Sequence, residues 1–313
     1  MSSVERLRAA LGARHPGPQI AAVATEIDRL RAQIGGLESR HVAALGPGDI
    51  GRAEFQVYSQ FGEDGIIQFL VQRVAIENEV FVEFGVGDYR ESNTRFLLVH
   101  DNWRGLIFDS GESMQAFLES SGHVWRHHID AKTAFIDRDN INDLIKTAGI
   151  EGDIGLLSID LDGNDYWILE AIDVVEPRII VAEYNSTFGA EAAVTVPYDA
   201  HFVRSEKHWS GLYWGASLAA LTKLTKAKGY ALVGGNRAGN NAFFVRHDVL
   251  VGIPEVSVAD AYAPSRFRES RDRDGRLTYI SGHEQRLRLI SEMPLADVES
   301  GRELTVAARF GLS

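Results

Sequence analysis

The chain predicts an α/β fold: a mainly parallel seven-stranded sheet closed by a C-terminal antiparallel strand, with N-terminal helices before it and a hairpin tail after it. Three observations predict this. From about Tyr58 onward, short apolar runs of strand type alternate with helix-length segments. Two strand-like runs, "YALVGGN" and "NAFFVR", meet at an Asn/Gly-rich turn near the end of that series and supply the antiparallel strand. The first fifty residues have helical periodicity instead, and "LGPGD" at Leu45 to Asp49 separates the two regimes. Strands alternating with helices at this spacing imply right-handed crossovers and a parallel sheet.

Each element follows in chain order. Val4, Leu7 and Leu11 share a helical face until "HPGP" breaks it. In residues 18–45, Ile20, Ile27 and Ile34 recur every seven positions, and Val23, Leu30 and Leu37 fill the second heptad position. Isoleucine at one position and mainly leucine at the other favour a parallel two-stranded coil, with Glu26 and Arg31 as complementary flanking charges. A helix packed on the chain's own core is the competing expectation, and Gly35-Gly36 weakens the helix by about 1 kcal/mol per glycine. "EVFVEFGVG" is a strand running into a glycine turn, and "SNTRFLLVHDN" begins with capping residues and continues as a helix. "RGLIFD" and "HVWRHHIDA" read as the second and third strands, and "DRDNINDLIKTAG" as a helix. "IGLLSID" is the fourth strand, followed by the helical "DYWILEAI", and "RIIVAEYN" is the fifth. Residues 186–214, polar and aromatic, read as a lid, because so long a loop in a compact domain is more often functional or mobile than inert. "GASLAALTKLTKAKGY" is a helix capped by Gly229, and Asp274-Gly275 marks a hairpin turn in the tail. The organisation is a helical segment 1–50, a core domain 51–250 carrying the insertion 186–214, and an extension 251–313.

Composition excludes several function classes. A net charge of −12 argues against nucleic acid as the main partner. The absence of cysteine rules out disulfides, thiolate nucleophiles and sulfur-bound zinc. No apolar run reaches the roughly eighteen residues of a membrane span, and the N-terminus has early charges rather than the apolar stretch of a secretory signal. A cytoplasmic location is the expectation.

Ligands of open α/β sheets bind beyond the carboxyl ends of the strands. The first such end is "VEFGVGDYR", with Glu83, Gly85 and Gly87. A dinucleotide fingerprint would need a third glycine where Arg90 stands. Glycines beside a carboxylate suit a ligand with a sulfonium or ammonium charge, which favours S-adenosylmethionine over NAD. Asp109, ending the second strand, is placed to accept from ribose hydroxyls, and Asp130 with Ala131, on the third, to accept from an adenine amino group.

Acids also gather in "SIDLDGND". An EF-hand loop counted from Asp160 would need glycine and glutamate where Asp165 and Ala171 stand. A D-x-D of Asp160 and Asp162 also fits a nucleotide-sugar glycosyltransferase, and a non-catalytic oligomeric scaffold is a third reading. Asp160 ends strand four while Glu183 to Asn185 end strand five, its expected neighbour. Hard oxygen ligands from two strand ends suit Mg²⁺, Mn²⁺ or Ca²⁺. Asn164 and Asp165 suit the start of a helix.

"YSQFGEDGII", "FVEFGVG", "SIDLDGNDYWI", "IIVAEYN" and "NAFFVR" together resemble the Rossmann-like class I S-adenosylmethionine-dependent methyltransferases, and within them the FkbM-like branch, over roughly Tyr58 to Arg246. The resemblance implies a cofactor site at Glu83, Gly85, Gly87, Asp109, Asp130 and Ala131, with Gln60 near the methionine end. Magnesium-dependent and sugar O-methyltransferases carry similar acids; carried over, Asp160, Glu183 and Asn185 would be metal ligands and Asp162 the base. His201 or His208 in the lid is an alternative base. Methyl transfer to a hydroxyl of a sugar, glycosylated small molecule or glycan is the expected reaction.

Overall fold

The computed structural model describes residues 18–48 and 50–312, the first four of them by backbone alone. The predicted helix through Val4, Leu7 and Leu11 and the side chain of Ile20 lie outside the described residues. In chain order the elements begin with α1 (Pro18–Ala43), α2 (Glu63–Val71), β1 (Val80–Phe84), α3 (Arg95–His100) and β2 (Arg104–Asp109). Next come α4 (Ser113–Ser121), α5 (His123–Arg126), β3 (Ile129–Thr133), α6 (Ile141–Thr147), β4 (Gly152–Ile159), α7 (Asp165–Ala171) and β5 (Val175–Glu183). They are followed by β6 (Val194–Thr195), α8 (Arg204–Lys207), α9 (Leu218–Ala227), β7 (Tyr230–Gly235) and β8 (Asn241–Arg246). The chain closes with α10 (Val258–Ala261), α11 (His283–Leu289), β9 (Pro294–Asp297), β10 (Arg302–Thr305) and α12 (Val306–Phe310).

The main sheet has the order β3-β2-β1-β4-β5-β8-β7. The pairings among β1 to β5 are parallel, and β8 runs antiparallel to both β5 and β7. The near-continuous apolar strands are those of a sheet covered on both faces. Phe84, Leu157 and Ile180 meet Ile145 of α6, Ile168 of α7 and Leu221 of α9 on one face. Phe81, Leu156 and Val181 meet Leu70 of α2, Leu97 of α3 and Met114 of α4 on the other. Each such buried side chain stabilises the fold by about 1.5–3 kcal/mol. Strand order reverses between β1 and β4, the position where open α/β sheets leave a crevice.

α1 packs on the chain's own core and leaves the heptad stripe exposed. Asp28, Gly35, Ser39 and Val42 recur at helical spacing on the inner face. Arg95 Nη2 reaches both oxygens of Asp28 at 3.0 Å, and Ser39 Oγ donates to Gln68 at 2.7 Å. A Cβ on Gly35 would stand 2.5 Å from Val57 Cγ2, so glycine is needed for the helix to lie this close. On the opposite side, Val23, Ile27, Leu30, Ile34 and Leu37 remain 48% to 58% exposed.

Two elements differ from expectation. The third strand is shorter than read: Gly122, with φ 73°, turns the chain into α5, and β3 begins at Ile129. Residues 186–214 form no open loop. Phe188, Leu212, Tyr213 and Trp214 are buried with Leu287, Ile290, Leu295 and Val306 of the C-terminal extension. β6 pairs antiparallel with β9, so insertion and extension share one small sheet and core.

Candidate active site

The turn after β1 is built for close approach. Gly85 (φ 73°) and Gly87 (φ 56°) both take the left-handed conformation that disfavours side chains. A Cβ on Gly85 would stand 1.6 Å from the Asp160 carbonyl oxygen, so this glycine joins the turn after β1 to the loop after β4 at the strand-order reversal. Gly87 N–H donates to Asp109 Oδ2 and Gly111 N–H to Oδ1, each at 2.8 Å. The two amides fix the Asp109 carboxylate at the rim of a cavity of about 800 Å³ that Gly85, Gly87, Asp160 and Asp162 also line.

Three acids converge beside it: Asp160 and Asp162 line the cavity, and Glu183 adjoins them without lining it. Ile159 pairs with Ala182, so the residues that follow, Asp160 and Glu183, come side by side. Asp160, Asp162 and Glu183 each present an oxygen within 4.8 Å of the others. Burial, then repulsion from Asp162 and Asp165, raises the Asp160 pKa well above the carboxylate range; burial, then repulsion from Asp160, does the same to Glu183. Glu183 Oε2 is buried without a hydrogen-bond partner among the described residues. An orphaned oxygen among two other carboxyl groups fits a hard divalent cation by donor chemistry. Asp162 sits at φ 53° and accepts from Arg204 Nη1 at 2.6 Å. Arg204 also donates to the Gly211 carbonyl and lies over the Trp214 ring. Asp165 closes the loop by accepting from the amides of Leu161 at 2.7 Å and Gly163 at 3.0 Å, and burial pushes its pKa up to about 6.

Other residues singled out in the sequence stand elsewhere. Glu83 is buried beneath the turn and accepts from Ser92 Oγ (2.6 Å), Thr94 Oγ1 (2.5 Å), Asn93 N (2.9 Å) and Thr94 N (3.2 Å). It ties the end of β1 to the start of α3 and does not line the cavity. Asn185 is also committed: Nδ2 donates to the Leu212 and Trp214 carbonyls, and Oδ1 accepts from Thr187 N. It pins the lid segment down. Asp130 pairs in register with Leu106, and Ala131 with Ile107, so both stop short of the strand end. Asp130 lies 3.5 Å from Arg104 instead. Ala134, Phe135 and Ile136, just past β3, reach the cavity in their place. Gln60 is exposed, with its carbonyl held by Gln56 Nε2. His201 is exposed, and His208 Nδ1 bonds Ser210 Oγ at 2.7 Å; neither lines the cavity. Phe135 and Glu269 line it without any motif to announce them, whereas Arg204 and Trp209 belong to the predicted lid.

No protein-family model matches the sequence, and no curated protein matches it. Among solved structures, the chain is similar to an S-adenosylmethionine-dependent methyltransferase from Clostridium acetobutylicum ATCC 824 (12% identity, TM-score 0.37, 59% of this chain and 90% of that one). It is similar to the N-terminal domain of EvdMO1 with SAH bound (13% identity, TM-score 0.35, 53% of this chain and 72% of that one). It is also similar to an O-methyltransferase family protein from Burkholderia thailandensis (10% identity, TM-score 0.35, 70% of this chain and 58% of that one). Likenesses this distant say nothing about what this chain binds or turns over.

Proposed function

We propose that the chain is an S-adenosylmethionine-dependent O-methyltransferase acting on a hydroxyl of a sugar or glycosylated small molecule, assisted by a divalent cation. The observation that carries this reading is the meeting of the Gly85 turn and the Asp160 loop in one cavity at the strand-order reversal. Bound there, S-adenosylmethionine would supply an electrophilic methyl group, and the cation would lower the pKa of a coordinated hydroxyl. Asp160 and Glu183 are the proposed ligands. Gly85 and Gly87 let a ligand lie against backbone, and Asp109, oriented by two amides, accepts from ribose hydroxyls. Asp162, steadied through Oδ1 by Arg204, is the proposed base, receiving the proton of the acceptor hydroxyl. Phe135, Phe202 and Trp209 offer ring faces among polar groups, a lining suited to a sugar. A methyl-transfer screen over sugars and glycolipids, with and without EDTA, tests the reading. Turnover that EDTA abolishes and Mg²⁺ restores is expected. Nucleoside-diphosphate binding without S-adenosylhomocysteine binding would instead establish the glycosyltransferase alternative.

We further infer that α1 pairs in parallel with α1 of a second copy. The exposed stripe has alternating spacings of four and three residues, and its inner face is already occupied. In that register Glu26 of each chain faces Arg31 of the other. Leu30→Glu should convert a dimer to a monomer in sedimentation equilibrium; a wild type that stays monomeric throughout would refute the pairing.

A further inference from the structure

A second cavity has the opposite electrostatics. It encloses about 390 Å³, and its walls include Arg266, Arg268, Arg286, His283, Thr187 and Ser281, with no carboxylate lining it among the described residues. This is unusual placement in a chain of net charge −12. Arg286 is 8% exposed. It donates through Nε to the Ile280 carbonyl at 3.3 Å and through Nη2 to the Phe267 carbonyl at 2.9 Å. Carbonyls orient a guanidinium without neutralising it. Burial foremost, with a smaller push from the charge of Arg268, lowers the Arg286 pKa, so the two cations feel each other. Glu54, which feels the charge of Arg266, is already paired with Arg237 at 3.6 Å. The walls are braced: Tyr262 Oη donates to the Ser186 carbonyl at 2.9 Å, and Ser265 N–H to Ser186 Oγ at 3.0 Å.

We propose that this cavity binds a phosphate group, held by Arg266, Arg268 and Arg286 with the hydroxyls of Thr187 and Ser281. Gathering like charges around a braced hollow costs stability unless an anion occupies it, and planar guanidiniums match phosphate oxygens in pairs. Ser186 and Thr187 follow β5 closely, so the cavity opens beyond the same edge of the sheet as the acids while sharing none of the residues that line theirs. The proposal does not depend on methyl transfer.

The test is calorimetric titration of the full chain with inorganic phosphate, pyrophosphate and a hexose 1-phosphate. Saturable binding that weakens with salt is expected, and the tightest arm distinguishes a free phosphate from a phosphorylated ligand. Arg266 and Arg268 are exposed, so the double variant Arg266→Ala, Arg268→Ala should melt no lower than the wild type without phosphate, yet lose at least about tenfold in affinity. Absence of binding by the wild type in all three arms, or equal binding by the double variant, would overturn the proposal.

Discussion

The carboxyl end of β1 and the adjoining ends of β4 and β5 each carry buried acids, and they use them in opposite ways. Burial raises the pKa of Glu83 as it does those of Asp160 and Glu183. Around Glu83, two hydroxyls and two amides answer with hydrogen bonds. Around Glu183 stand Asp160 and Asp162, and among the described residues Oε2 has no donor. The supply of donors therefore separates an acid that holds the fold together from one whose burial is left uncompensated. Strand-end position and burial alone do not.

Substitutions at these acids and at the turn between them test the contrast. The largest effect is expected at the turn joining the two regions. Gly85→Ala should destabilise by about 4 kcal/mol, combining left-handed strain with a collision against the Asp160 carbonyl. Gly87→Ala, facing open space, should cost only about 1 kcal/mol. Urea denaturation of both variants checks the pair, and equal losses would refute the close approach at Gly85. Next come matched substitutions. Glu83→Gln should cost about 3 kcal/mol by setting a donor against donors. Glu183→Gln, denatured in EDTA, should gain about 1 kcal/mol by removing like-charge repulsion. The same sign for both would erase the distinction.

A buried ionisable group away from the strand ends gives a smaller, pH-dependent comparison. Burial, then the charge of Arg95, depresses the His123 pKa from 6.5 to about 4. The unfolded chain therefore takes up a proton that the folded chain refuses, so this contribution is complete above pH 6.5 and is lost as pH falls toward 4. Between pH 7 and pH 5 the wild type should lose about 2 kcal/mol relative to His123→Phe in parallel denaturation curves. A constant difference across that range would refute the depressed pKa.

Much of this was legible in the sequence, for physical reasons. Doubly buried strands must be apolar throughout, so "FVEF", "GLLSI" and "IIVAE" announced a covered parallel sheet. The glycine turn was legible because only glycine accepts its backbone angles without strain. The bonds of Glu83 had a signal that was read only as capping: Ser92, Asn93 and Thr94, just before α3, donate to it. Asn185 was not legible, because its partners lie at Leu212 and Trp214 across the lid. Arg204 meets Asp162 across 42 positions of chain, and β6 meets β9 across more than half the remaining sequence, contacts that no local pattern encodes. The third strand was misread because β-prone "HVW" precedes it, while Gly122 turns that stretch into a helix.

In the proposed function, the cavity at the β1–β4 reversal takes S-adenosylmethionine, with Asp109 as a binding group and the β4–β5 acids reserved for chemistry. Calorimetric titration with S-adenosylhomocysteine tests it most directly. Binding by the wild type, a loss of about tenfold or more in Asp109→Ala, and near-wild-type affinity in Asp160→Asn are predicted. No binding by the wild type, or undiminished affinity in Asp109→Ala, would contradict the account.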